Sequence, residues 1–182
     1  MKLFSYIFCL FIFGNQLSYS QVKYSSVSNG NWSNSSTWDN GVPPNPLTQF
    51  DTIYVNHNLS YDDSQIVQGV FIVDTNGSIA NSSKDLFIGK SSQNKGEFFN
   101  YGSISVSKLE IIPNGCGSND TKPVIHNFGN IECSAKIHVG KNCGSGFFFN
   151  YLGSNVSTAT ELHLDAYLCN EDTIEVQTRI YN

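Results

Sequence analysis

Positive charge is scarce in this 182-residue chain: it holds a single arginine, Arg179, and no run of basic residues. Acids outnumber Lys and Arg by 15 to 10, for a formal net charge of −5. Proteins that neutralise phosphates need clustered cations, so nucleic acid is not an expected partner. Long apolar runs are missing too. The longest, from Leu3 to Phe13, spans about 11 residues where roughly 18–20 are needed to cross a bilayer. Cys-x-x-Cys spacing is absent, which argues against a zinc knuckle. No Thr-x-Thr recurs in register on one face, as a flat ice-binding solenoid would want. No serine–histidine or cysteine–histidine nucleophile has a recognisable frame. Acids such as Asp62, Asp63, Asp165, Glu171 and Asp172 fall near turns, not in facing pairs across a groove. No catalytic residue and no cofactor is therefore expected.

The short apolar run has a different use. Lys2 precedes it, and a polar stretch follows as far as Ser18-Tyr19-Ser20. Small residues at 18 and 20 suit a signal-peptidase cut before Gln21. Residues 1–20 read as a signal peptide, and the product as secreted, extracellular or at the cell surface, with no transmembrane segment after cleavage. Cys9 follows Phe8, not the small residue that lipid attachment wants. Charged residues are only 14% of the chain, but regular apolar pairs and 13% aromatics argue against disorder.

The phrases FFNYGSISVSKLEI (98–111), IHNFGNIECSAKIHV (125–139) and FFNYLGSNVSTATELHL (148–164) repeat one pattern. Aligned on Gly77, Gly102, Gly129 and Gly153, the steps are 25, 27 and 24 residues. After each glycine comes Ile79, Ile104, Ile131 or Val156. An apolar-x-apolar pair follows: Leu86/Ile88, Leu109/Ile111, Ile137/Val139 and Leu162/Leu164. A fixed period of this size marks a solenoid. The apolar alternation has period two and the runs are β-branched and aromatic, so the coils are built of strands. Leucine-rich repeats share the period but need a leucine and asparagine frame that is missing. The expected fold is all-β: a single-stranded parallel β-helix of about six coils, a rod roughly 30 Å long at about 4.8 Å per coil. That is short for a catalytic β-helix with a groove.

Stacked coils bring equivalent residues into contact. Asn100, Asn127 and Asn150 are expected to form an amide ladder, with Tyr101, Phe128 and Tyr151 stacked beside it. The glycines are expected to permit a tight turn with φ > 0. Phe98, Phe99 and Phe147–Phe149 read as filling the bore and bracing the turns. Cys116, Cys143 and Cys169 each lie four or five residues past an apolar pair. That spacing places them at one corner of successive coils, where Cys116–Cys143 or Cys143–Cys169 could bridge but Cys116–Cys169 could not. Cys133 should face inward as a small apolar group. Glu110, His138 and His163 occupy the centres of three apolar pairs and form one outward column, with Phe87 continuing it. Two imidazoles and a carboxylate could take a divalent metal, or could simply be a solvated strand face. His57 and His126 read as packing or turn residues.

Ahead of the repeats, residues 21–49 read as an N-terminal capping segment and 50–182 as the solenoid. Trp32, Trp38 and the prolines are suited to covering an open end of strand edges and core. The pattern Gly30-x-Trp32, Thr37-Trp38, Gly41-Val42-Pro43-Pro44, then Val55, His57 and Tyr61-Asp62, resembles the start of secreted, surface-displayed right-handed β-helix proteins of Bacteroidetes. It is also similar to the opening of the eight-glycine domain. The first resemblance implies surface-displayed repeats, and the second a β-helical module beside polysaccharide-related functions. The expected role is structural or adhesive and non-catalytic, with a glycan or a cell-surface protein as partner. The alternative is a carbohydrate-binding or polysaccharide-processing module.

Overall fold

The computed structural model describes residues 21–89, 96–112, 122–140 and 146–181. The expected signal peptide, residues 1–20, lies outside them. The described residues are almost wholly β; the one helical element among them is a short 3-10 turn, Ser35–Thr37. Seven parallel strands stack into the first face: Lys23–Ser25, Thr52–Val55, Val70–Val73, Glu97–Asn100, Val124–Asn127, Phe147–Asn150 and Tyr167–Asn170. After Thr52–Val55 the chain returns to this face five times, making a parallel β-solenoid of about five turns. The second face carries Gly30–Asn31, Asn58–Ser60, Ser78–Asn81, Asn155–Thr158 and Thr173–Val176. The third carries Gln65–Val67, Leu86–Ile88, Glu161–Leu164 and Arg179–Tyr181. In two middle coils the second and third faces run together as single strands, Ser103–Ile111 and Asn130–Val139, which shift register between Val106 and Lys108.

Alternation sends every second side chain into the bore. Ile53, Phe71, Phe98, Ile125 and Phe148 align along the first face, and all are essentially inaccessible to solvent. Leu59, Ile79, Ile104, Ile131 and Val156 do the same on the second face. Leu86, Leu109, Ile137 and Leu162 line the third. The repeats are parallel because each coil has the same sequence phase, so the hydrophobic residue of one coil always meets that of the next. At the N-terminal end Trp32 and Trp38 are buried and meet edge to face, with centroids 4.8 Å apart. The Trp38 indole N–H donates to the Trp32 carbonyl at 2.8 Å. Trp32 also packs edge-on against Phe71 and Tyr61.

At the corner after the first face, the structure brings Asn100, Asn127 and Asn150 together. Asn100 Nδ2 donates to Asn127 Oδ1 at 2.7 Å, and Asn127 Nδ2 donates to Asn150 Oδ1 at 2.7 Å. The ladder continues one coil further, where Asn150 Nδ2 donates to Asn170 Oδ1 at 2.8 Å. Valine holds the same level in the coils below, at Val55 and Val73. Each amide also reaches across the turn, as Asn100 does to the Asn130 carbonyl at 3.1 Å.

The glycines act differently from expectation. Gly77, Gly102 and Gly129 do stack, but their backbone does not take the left-handed conformation. A Cβ at Gly102 would strike the carbonyl oxygens of Gly77 and Asp74, and one at Gly129 the carbonyl oxygen of Gly102. What requires glycine is the close approach of the coil beneath. Gly153 is not in this stack. Ser103, Asn130 and Asn155 are in register, so the residue at the glycine level in the next coil is Ser154. The turn there is two residues longer. Leu152 and Gly153 project outward, Leu152 is 81% exposed, and Gly153 has φ +89° with nothing near its would-be Cβ.

Asn127→Ala should cost about 1–3 kcal/mol by breaking two buried amide bonds, more than Asn170→Ala at the exposed end of the ladder. Gly129→Ala, which must displace backbone, should cost about 1–3 kcal/mol. Thermal melts at neutral pH check both, at about 2–4 °C of midpoint per kcal/mol.

Candidate functional site: the outward aromatic face and the ionic column

Because Asn100 points inward, period two sends Phe99 out and Phe98 in. The outward column of the first face is therefore Tyr54, Ile72, Phe99, His126, Phe149 and Cys169. A second outward column holds Val70, Glu97, Val124, Phe147 and Tyr167. Of the five phenylalanines assigned to the bore, Phe98 and Phe148 are there; Phe99, Phe147 and Phe149 face outward and are half-buried. The correction follows from alternation alone, since three phenylalanines in a row cannot all point one way. Tyr101, Phe128 and Tyr151 form a third aromatic column at the corner. Their centroids are 4.9 and 4.2 Å apart and the planes within 6°.

Stacking decides what this surface offers. Phe99 and His126 lie 4.8 Å apart and parallel within 6°, and His126 and Phe149 lie 5.2 Å apart within 10°. Each ring face inside a column is covered by the next ring, so solvent meets ring edges. The surface is flat and rich in aromatic rings, with Glu97 and His126 among them and Lys23 over Tyr54 and Lys122 over Phe147 at its margin.

His126 is not partnerless. Its Nδ1 lies 2.9 Å from the Tyr151 hydroxyl. Burial between two rings lowers its pKa, with Glu97 pulling weakly the other way. His57 has a partner as well, the Ser26 hydroxyl at 3.1 Å from Nδ1.

On the third face Phe87, Glu110, His138 and His163 are in register, as the spacing implies. They do not converge on one point. Glu110 is 3% exposed and is paired with Lys136 at 3.5 Å. His138 Nε2 lies 2.7 Å from Asp165 Oδ2, and His163 Nε2 lies 2.8 Å from Glu161 Oε2. The imidazole centroids are 5.0 Å apart with planes tilted by 35°. Among the described residues no group of three or more His, Cys, Asp or Glu side chains is placed to hold a metal ion. In the expected metal column Glu110, His138 and His163 thus each lie beside a separate partner, Lys136, Asp165 and Glu161. The sequence showed which residues share a column but not that each imidazole has an acid beside it.

Cys116 and Cys143 lie outside the described residues, and with them the expected bridge, Cys116–Cys143 or Cys143–Cys169. Cys169 is a free thiol. It sits within strand Tyr167–Asn170, in register with Phe149, so it belongs to the outward face and not to a corner. Cys133 lies in the bore between Val106 and Thr158. Burial pushes its thiol up to about 12.

The chain matches no family model, no curated protein and no solved structure. No helix among the described residues is long and apolar enough to cross a membrane.

His126 generates a pH prediction. Its folded pKa is depressed below the unfolded value of 6.5, so the unfolded chain binds the proton first as pH falls. Stability should be unaffected by this group above that value and decline as pH drops through it. His126→Phe keeps the column and should remove that part of the acid loss. Melting midpoints for both proteins from pH 8 to pH 5 measure it.

Proposed function

We propose that this chain is a secreted, non-catalytic β-solenoid with a structural or adhesive role at the cell surface, working through the outward aromatic face. The observation that carries the reading is the pair of in-register, aromatic-rich columns along the first face, with the edges of Phe99, His126 and Phe149 outward. An exposed patch of such side chains a few hundred Å² in extent is often functional. Ring edges suit contact with another flat apolar or protein surface better than they suit catalysis. Seven strands at about 4.8 Å and three or four residues each give a face of about 400 Å², or about 800 Å² shared by two partners. That is at the weak end of protein interfaces, so firm attachment would draw on many copies displayed together.

Residues 21–49 serve as the N-terminal cap in this reading. With their own short strands counted as a partial first coil, the solenoid has about six coils. Export through cleavage before Gln21, and membership among surface β-helix proteins of Bacteroidetes with an eight-glycine-like entry, belong to the same proposal. The ionisable side chains of the third face pair off locally, which favours support over chemistry.

The test is retention. Phe99→Lys with Phe149→Lys should leave the fold intact, since both side chains point outward. The substitution should release the protein from cells or from an apolar surface several-fold more readily than wild type. Unchanged retention in a folded variant overturns the adhesive reading. Product released from a polysaccharide by the purified chain would replace it with the processing module.

A further inference from the structure

The corner beside the asparagine ladder is not uniform along the rod. Two coils turn in two residues, Tyr101-Gly102 and Phe128-Gly129. The coil below takes four, Asp74 to Gly77, and the coil above also takes four, Tyr151 to Ser154. Two short turns between two long ones leave a saddle, an open concavity of about 440 Å³, within the range of small-ligand sites. Its floor is Gly102 and Gly129, where no side chain fits. One wall is the exposed pair Tyr101 and Phe128; the other is Asn58, Ser103 and Asn130, and Asn76 closes the lower end.

Three properties narrow the ligand. First, none of these lining side chains is charged, and the chain carries a net charge of −5, so an anionic ligand has no counter-ion here and meets long-range repulsion. Second, the backbone of the saddle is already paired between coils. Ser103 N–H donates to the Gly77 carbonyl, Asn130 N–H to that of Gly102, and Asn155 N–H to that of Gly129. A peptide strand would find no free ladder to join, so recognition falls to side chains. Third, the side chains of Asn76, Ser103 and Asn130 make no hydrogen bond among the described residues, and their amides and hydroxyl offer donors and acceptors together. An aromatic ring stands exposed beside them. Tyr101 is the first ring of its column, stacked on Phe128 alone among the described rings, and is 41% exposed.

We propose that this saddle binds an uncharged oligosaccharide, with one sugar ring against the exposed Tyr101 side chain and hydroxyls on Asn58, Asn76, Ser103 and Asn130. A ring with an apolar face and a rim of hydroxyls needs this combination of aromatic platform and mixed donors and acceptors. Asn58, Ser103 and Asn130 lie on coils that span about 14 Å along the axis, which runs the glycan parallel to the solenoid. This site lies beside the adhesive face and goes beyond the reading above; either can fail alone.

The test uses the full chain against immobilised neutral hexasaccharides of glucose, mannose and xylose, with polygalacturonate and hyaluronan as acidic counterparts, followed by calorimetry on the best neutral binder. Binding to a neutral class is expected. Tyr101→Ala should weaken it by about tenfold or more and Asn130→Ala by several-fold, with melting midpoints showing both variants folded. Asn130→Ala removes no hydrogen bond of the fold, so it remains informative should Tyr101→Ala prove unstable. Binding only to acidic glycans, no binding to any neutral probe, or equal affinity in wild type and folded variants overturns the site. Phe99→Lys with Phe149→Lys should leave glycan affinity unchanged while reducing surface retention, which separates the two readings.

Discussion

A parallel solenoid must close each coil so that the chain returns one inter-strand spacing above where it began. All else here depends on that return. Hydrogen bonds between coils hold only when strands are in register, and register brings residues some two dozen positions apart within about 4.8 Å of each other. A residue in such a rod is therefore chosen mostly by its counterparts above and below. Buried asparagines survive because each amide meets another amide. A lone asparagine at the same level would carry the cost of an unpaired polar group. Gly102 and Gly129 survive because the coil below leaves no room for a Cβ.

The same constraint shapes the surface. Aromatics placed on one strand level must stack, and stacking turns their faces toward one another and their edges toward solvent. This separates two surfaces that share a composition. The broad first face offers edges and is fitted to flat contact. At the corner the aromatic column ends at Tyr101, because Asp74 stands where it would otherwise continue. A difference of two residues in turn length then makes the neighbouring surface concave. Functional character on this rod follows from breaks in the repeat, while the regular parts hold those breaks at defined heights.

Much of the architecture was legible from the spacing of the repeats. Period-two alternation implied strands, and the matching of Ile79, Ile104, Ile131 and Val156 implied parallel stacking; the structure has both. Less could be read where insertions move residues against the repeat. Gly153 looked equivalent to Gly129, but two extra residues put Ser154 at that level. Cys169 looked like a corner residue, but the short coil before it carries it onto the first face. The orientation of Phe99 and Phe149 was available in the sequence, since an inward asparagine forces its preceding residue out. The pairing of His138 with Asp165 was not, because that aspartate lies 27 residues away and beyond the strand end.

By itself the sequence determined the class of fold, the columns and the residues that share them, because periodicity and coil length are one-dimensional properties. Tertiary structure alone decided where a column ends, which acid lies beside which imidazole, and where the surface is concave. Those depend on turn length and on side-chain direction at each coil, and small local differences there change the surface while leaving the repeat intact.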